Sequence, residues 1–191
     1  MRQTTMLVVI ALTLAICAGT AAAQATPPAD TLKVDYFSNA NTAGAPDGTL
    51  RLTNPGTAPG NVCANIFVFD ADQELSECCS CFLSPDGLRT LSVNTDLTSN
   101  PLTGVILSTG VIKMVSTTLT VGTCPLPTNL NPIPALRAWE THIQNAGFAE
   151  TETAASDATL SAGEVSRLKS ECNAVKIVGS GAGVCSCGTG D

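Results

Sequence analysis

The 191-residue sequence predicts a mainly β protein, an antiparallel β-sandwich of about seven strands with one C-terminal α-helix, stabilised by disulfides. Short apolar segments alternate with Gly, Pro, Asn and Asp turn signals from residue 31 to residue 123, the spacing of an all-β domain. One stretch near the C-terminus changes to helical periodicity. Eight of the nine cysteines lie downstream of an export signal, which makes crosslinks their default use.

That signal opens the chain. "MRQTTMLVVIALTLAICAGTAAAQA" combines basic Arg2, an apolar run from Met6 to about Ala18 and a small-residue exit, the layout of a secretory signal peptide. Cleavage is expected after Ala23 or Ala25, so residues 1–25 are assigned to the signal and 26–191 to a single domain. The apolar run falls short of the roughly 20 residues that span a bilayer, and no second candidate span appears downstream. Leu14-Ala15-Ile16-Cys17 partly resembles a lipoprotein signal, but Ile16 stands where a small residue is required. The expected product is therefore soluble, secreted or periplasmic, and not a lipoprotein.

The elements come in order along the chain. "TLKVDYF" (31–37) and "GTLRLTN" (48–54) alternate as half-buried strands do. "VCANIFVFD" (62–70) is dense in Val, Ile and Phe and reads as a central strand buried on both faces. "ELSECCSCFL" (74–83) returns after a tight acidic connection. "SPDG" (84–87) is a strong turn, because Pro presets φ and Gly accommodates the exit from the turn. "LRTLSVN" (88–94) and "GVIKMVSTTLTV" (110–121) complete six strands. Four prolines between Pro125 and Pro134 then impose a loop.

Residues 136–144 fit two readings. Leu136, Trp139 and Ile143 make a helical stripe, whereas Trp139, Thr141 and Ile143 share one face of a strand. The β-branched residues tip the balance to a seventh strand. Seven strands at this spacing suit an immunoglobulin-like sandwich. Beyond them, Ser161 with Glu164 three residues on forms a capping box. Val165, Leu168, Cys172 and Val175 recur at helical spacing, and Gly179 can end the helix. A helix over about 162–176 is expected, succeeded by a Gly- and Cys-rich tail.

The cysteines Cys63, Cys78, Cys79, Cys81, Cys124, Cys172, Cys185 and Cys187 are an even set in an exported chain. Neither C-C-x-C nor C-x-C supplies the paired C-x2-C knuckles of structural zinc, so disulfides are expected ahead of metal or redox chemistry. Neighbouring Cβ atoms on a strand point to opposite faces, so Cys78 and Cys79 should take separate partners. A hairpin turning about Asp72 would set Cys63 opposite Cys81, predicting a cross-strand bridge. Cys78 and Cys79 would then reach Cys124 and the C-terminal cysteines, and Cys172 would meet Cys185 or Cys187. Eight cysteines allow 105 pairings, so spacing alone does not choose.

Other side chains suggest chemistry more weakly. Asp70, Asp72 and Glu74 place carboxylates at alternating positions and could hold a cation such as calcium, but the glycine and distal glutamate of an EF-hand loop are missing. Acidic residues are also ordinary in a solvated turn. His142 is the one histidine; no G-x-S-x-G elbow accompanies it, so a hydrolase is the weakest reading. "GSGAG" lies after its helix and offers an anion no helix N-terminus.

Removing Arg2, the only charge in the first 25 residues, takes the formal net charge from −7 to about −8. A chain this acidic lacks a nucleic-acid footprint. The expectations are thus a non-catalytic structural or binding module, no cofactor, and a partner that is another surface protein or cell-envelope component. "NVCANIFVFD", "QELSECCSC" and a tail of the form helix, Cys, "GSGxGxC" together resemble a group of cysteine-rich exported proteins of acidobacterial-type soil bacteria. The resemblance covers most of the mature chain and implies no activity.

Overall fold

The computed structural model describes residues 31–128, 130–144 and 147–190. The signal peptide expected over 1–25, with Cys17, lies outside them. Among the described residues there are ten strands: β1 (Leu32–Phe37), β2 (Thr49–Thr53), β3 (Val62–Asp70), β4 (Leu75–Leu83), β5 (Leu88–Ser92), β6 (Gly110–Thr118), β7 (Arg137–Gln144), β8 (Ala149–Ala154), β9 (Ser156–Ala158) and β10 (Thr189–Gly190). An α-helix, α1, runs Ala162–Val178. The strands form two antiparallel five-stranded sheets, ordered β4-β3-β6-β1-β9 and β10-β5-β2-β7-β8.

The expected seven strands are all there, and residues 137–144 are a strand. The three additional ones escaped the pattern for physical reasons. β8 is "AETETA", exposed at every position, so it has no apolar face to signal. β9 and β10 have three and two residues. The fifth strand stops at Ser92 because its hydroxyl accepts from the Thr95 amide at 2.8 Å, turning Val93–Leu97 into one π-helical turn.

Each sheet buries one face against the other. Leu50, Leu52, Leu91 and Ala138 of the second sheet meet Ala64, Ile66, Val68, Ile112 and Met114 of the first in one cluster. The first sheet also buries its outer face. There Phe67, Phe69 and Val115 pack against Leu168, Cys172 and Val175 of α1. This second layer explains why β3 is buried along nearly its whole length. α1 starts as expected, with Ser161 Oγ accepting from the Glu164 amide at 3.1 Å, and ends at Gly179 in the left-handed region, φ 66°.

Four disulfides are formed: Cys63–Cys124, Cys78–Cys172, Cys79–Cys185 and Cys81–Cys187, with Cα atoms 5.2 to 5.9 Å apart. Adjacent Cys78 and Cys79 do take separate partners. The expected Cys63–Cys81 bridge is absent, and a β-bulge is the reason. Near the turn Phe69 faces Leu75, but the register shifts beside Val68, so Cys63 stands across from Phe82 and Cys81 from Ala64. One residue of slip moves a side chain to the opposite face. Cys124 therefore binds Cys63, tying the proline-rich loop to β3, and not Cys78 or Cys79. Cys172 meets Cys78, and not Cys185 or Cys187, because α1 lies on the outer face to which Cys78 points.

Inward-facing Cys79 and Cys81 join the sandwich core with Cys185. The tail runs parallel to β4, with the Cys78 amide donating to Gly183 O at 2.8 Å. It then crosses to the other sheet as β10, pairing with β5. The tail thus spans from the edge strand of one sheet to the edge strand of the other.

Candidate functional site

The acidic hairpin between β3 and β4 is organised by its own backbone. Asp70 Oδ1 accepts from the Asp72 amide at 3.0 Å and the Glu74 amide at 2.8 Å, an Asx-type turn. Asp72 and Glu74 are exposed. Among the described residues, the one group of three close ligand atoms is formed by Cys79, Cys81 and Cys187, whose sulfurs are already in disulfides.

The sole histidine has a more informative setting. His142 on β7 is 2 % exposed. Its ring stacks on Tyr36 of β1 with centroids 4.3 Å apart. Nε2 lies 2.8 Å from Thr153 Oγ1 on β8 and 3.3 Å from Asp35 Oδ1 on β1. The Asp35–His142 pair therefore joins the two sheets. Two residues before His142 on the same face of β7, Glu140 is wholly buried. Both Glu140 oxygens, Asp35 Oδ2 and His142 Nδ1 have no hydrogen-bond partner. A cleft of about 360 Å³ opens beside Asp35 and His142, rimmed by Tyr36, Thr151, Thr153 and Ser156.

Electrostatics here favour discharge. Burial pushes the Asp35 carboxyl up, against the Tyr36 amide and His142, which pull it down. Burial pushes Glu140 well above the usual carboxylate range, and the charge of Asp35 adds to that. The arrangement is not that of a hydrolytic triad. A triad divides the two imidazole nitrogens between carboxylate and nucleophile. Here Asp35 and the Thr153 hydroxyl both meet Nε2, and Nδ1 meets neither.

Sequence reasoning singled out His142 but missed Asp35 and Glu140. In "LKVDYF" the apolar face is Leu32, Val34 and Tyr36, so Lys33 and Asp35 read as solvent-facing. The fold inverts this, because Leu32 and Val34 pack in the helix-side cluster while Lys33 and Asp35 are 3 % and 8 % exposed. No family model, curated protein or solved structure matches the chain. Fold and crosslinks define the class: a disulfide-stabilised, two-sheet β domain with a helix on one face. Among its described residues no helix is long and apolar enough to cross a membrane.

Proposed function

We propose that this chain is an exported, non-catalytic structural or binding module of the periplasm or cell surface, acting on another surface protein or an envelope component. The observation that carries the reading is the use of all eight cysteines after residue 25 in four long-range bridges, spanning 61 to 106 residues. Such a network persists in oxidising compartments and is rare in the cytosol. External domains also meet proteases without chaperone rescue, and crosslinks that slow unfolding answer that exposure.

Intact-mass measurement of the protein exported from its own leader tests this. Reduction should add two hydrogens for each of four bridges, and the N-terminus should begin after Ala23 or Ala25. Retention of residues 1–25 with free thiols in a cytoplasmic fraction would overturn the reading.

A further inference from the structure

We propose that the cleft beside Asp35 and His142 binds an uncharged saccharide, as a unit of an envelope glycan; this rests on the reading of the chain as a binding module and names its ligand. The cleft holds about 360 Å³, within the range of small-ligand pockets. Among the described residues that line it there is no Lys or Arg, so an anion finds no counter-charge there. Asp35 is its one carboxylate, and that group is turned inward. Oδ1 accepts from the Tyr36 amide at 2.9 Å and lies 3.3 Å from His142 Nε2, while Oδ2 is buried. A cation therefore meets no exposed carboxylate, and the ligand that fits is neutral.

What the cleft does present is groups that both donate and accept. Tyr36, Thr151, Thr153 and Ser156 bring hydroxyls and Gln144 an amide, matched to sugar hydroxyls, which also do both. Two of these groups are already oriented. With Asp35 ionised, the imidazole proton sits on Nε2, facing Asp35 Oδ1 and Thr153 Oγ1. Thr153 then accepts from the ring, and its own hydroxyl proton is left for a ligand. The Tyr36 hydroxyl accepts from Gln144 Nε2 at 3.1 Å, which leaves the phenol proton to donate to a sugar. Tyr36 also supplies apolar surface for the C–H face of a pyranose, since tyrosine joins an apolar body to a polar tip. Its ring stacks on His142, yet the residue stays 46 % exposed, with Val34 and Val111 in the same lining.

The experiment uses the oxidised chain freed of its leader, so its outcome does not depend on where the protein is sent. Export can fail while the sugar binds, and export can hold while no sugar binds. The chain has one tyrosine and one histidine, so their ring resonances report on Tyr36 and His142 without further assignment. Titration with glucose, mannose, N-acetylglucosamine and its β-1,4 dimer should shift both rings saturably for at least one of these sugars. Anionic glucuronate and cationic glucosamine should bind at least tenfold more weakly than that sugar. Tyr36→Ala and Thr153→Val should each weaken its binding at least tenfold, and Asp70→Asn with Asp72→Asn not at all. Ring resonances unmoved by every sugar at high millimolar concentration would overturn the proposal, as would full affinity in both Tyr36→Ala and Thr153→Val, or charged sugars that bind as tightly as neutral ones. The far-ultraviolet dichroism of each variant separates lost binding from lost folding, and an Overhauser effect from the Tyr36 ring to the bound sugar in the wild type needs no variant.

Discussion

Glu77 is a residue whose position makes stability respond to pH near neutrality. It is wholly buried on β4 beside Cys78, and its Oε1 accepts from the Asn100 amide at 2.8 Å. Burial outweighs that bond and raises its pKa to about 7 from 4.5. Between those values the folded state keeps a proton that the unfolded chain releases. Stability from this group is thus fully present below pH 4.5 and lost as pH rises to 7, by up to about 3 kcal/mol. Glu164 acts in the opposite sense. Arg167 and Lys113 hold it down at about 2, so its contribution is present above pH 4.5 and lost as pH falls toward 2. Thermal midpoints measured from pH 2 to 8 should fall on both sides of mild acid. Glu77→Gln should flatten the neutral limb and Glu164→Gln the acid limb. A neutral limb of unchanged slope in Glu77→Gln would refute the assignment. "SECCS" identifies Glu77 only as a polar strand residue; its burial depends on the tail and the Asn100 loop arriving from far along the chain.

At the scale of elements, α1 is held by its start, its face and one covalent bond. The start and face were legible in the sequence, because Ser161, Glu164, Leu168, Cys172 and Val175 obey local rules of capping and period. The bond was not, because it depends on which face of β4 Cys78 occupies after a bulge that nothing in "DADQELSECC" announces. β-Sheet register is a long-range property, so strand existence was readable while pairing was not. The same reason hid the Asp35–His142 contact, which needs two strands separated by more than a hundred residues. Ser161→Ala should cost about 1 kcal/mol, the usual worth of a cap, measurable by urea unfolding. Cys78→Ala with Cys172→Ala removes a bridge between residues 94 apart in sequence, but the Cys79–Cys185 bridge stays, so the loop released is about 15 residues and the loss about 3 kcal/mol by chain entropy. If α1 docks chiefly through that bond, amide exchange in residues 162–178 should accelerate in this variant while β2 and β7 exchange as before. Uniform acceleration across both sheets would mean that helix and sandwich unfold as one unit.

For the whole molecule, the C-terminal tail is the clasp that joins the two sheets along one side. It bonds to β4 through Cys79 and Cys81, hydrogen-bonds to Cys78, and enters the opposite sheet as β10. Gly188 is where it crosses, with φ 57° and a position at which any Cβ would strike the Thr90 carbonyl. Gly188→Ala should therefore destabilise, while the same change at Gly122, where a Cβ meets nothing within 4 Å, should cost only its positive-φ strain. Ending the chain after Val184 is the sharper test. It removes both tail bridges, leaves Cys79 and Cys81 as thiols and bares part of the β4 edge, which is a template for pairing with another chain. Cys79 and Cys81 share a strand face two residues apart, too far for an unstrained bridge to each other. The truncated protein should accordingly form disulfide-linked dimers on non-reducing gels, and Cys79→Ser with Cys81→Ser should convert them to weaker, concentration-dependent oligomers seen by light scattering. A truncated chain that stays monomeric with wild-type thermal stability would show that sheet-to-sheet packing alone closes the sandwich. The tail's cysteines would then be ornaments of a fold that does not need them. The burial of Cys185 in the central cluster and the Asp96 carbonyl accepting from the Ser186 amide at 2.9 Å argue for the first outcome, because both contacts would be lost with the tail.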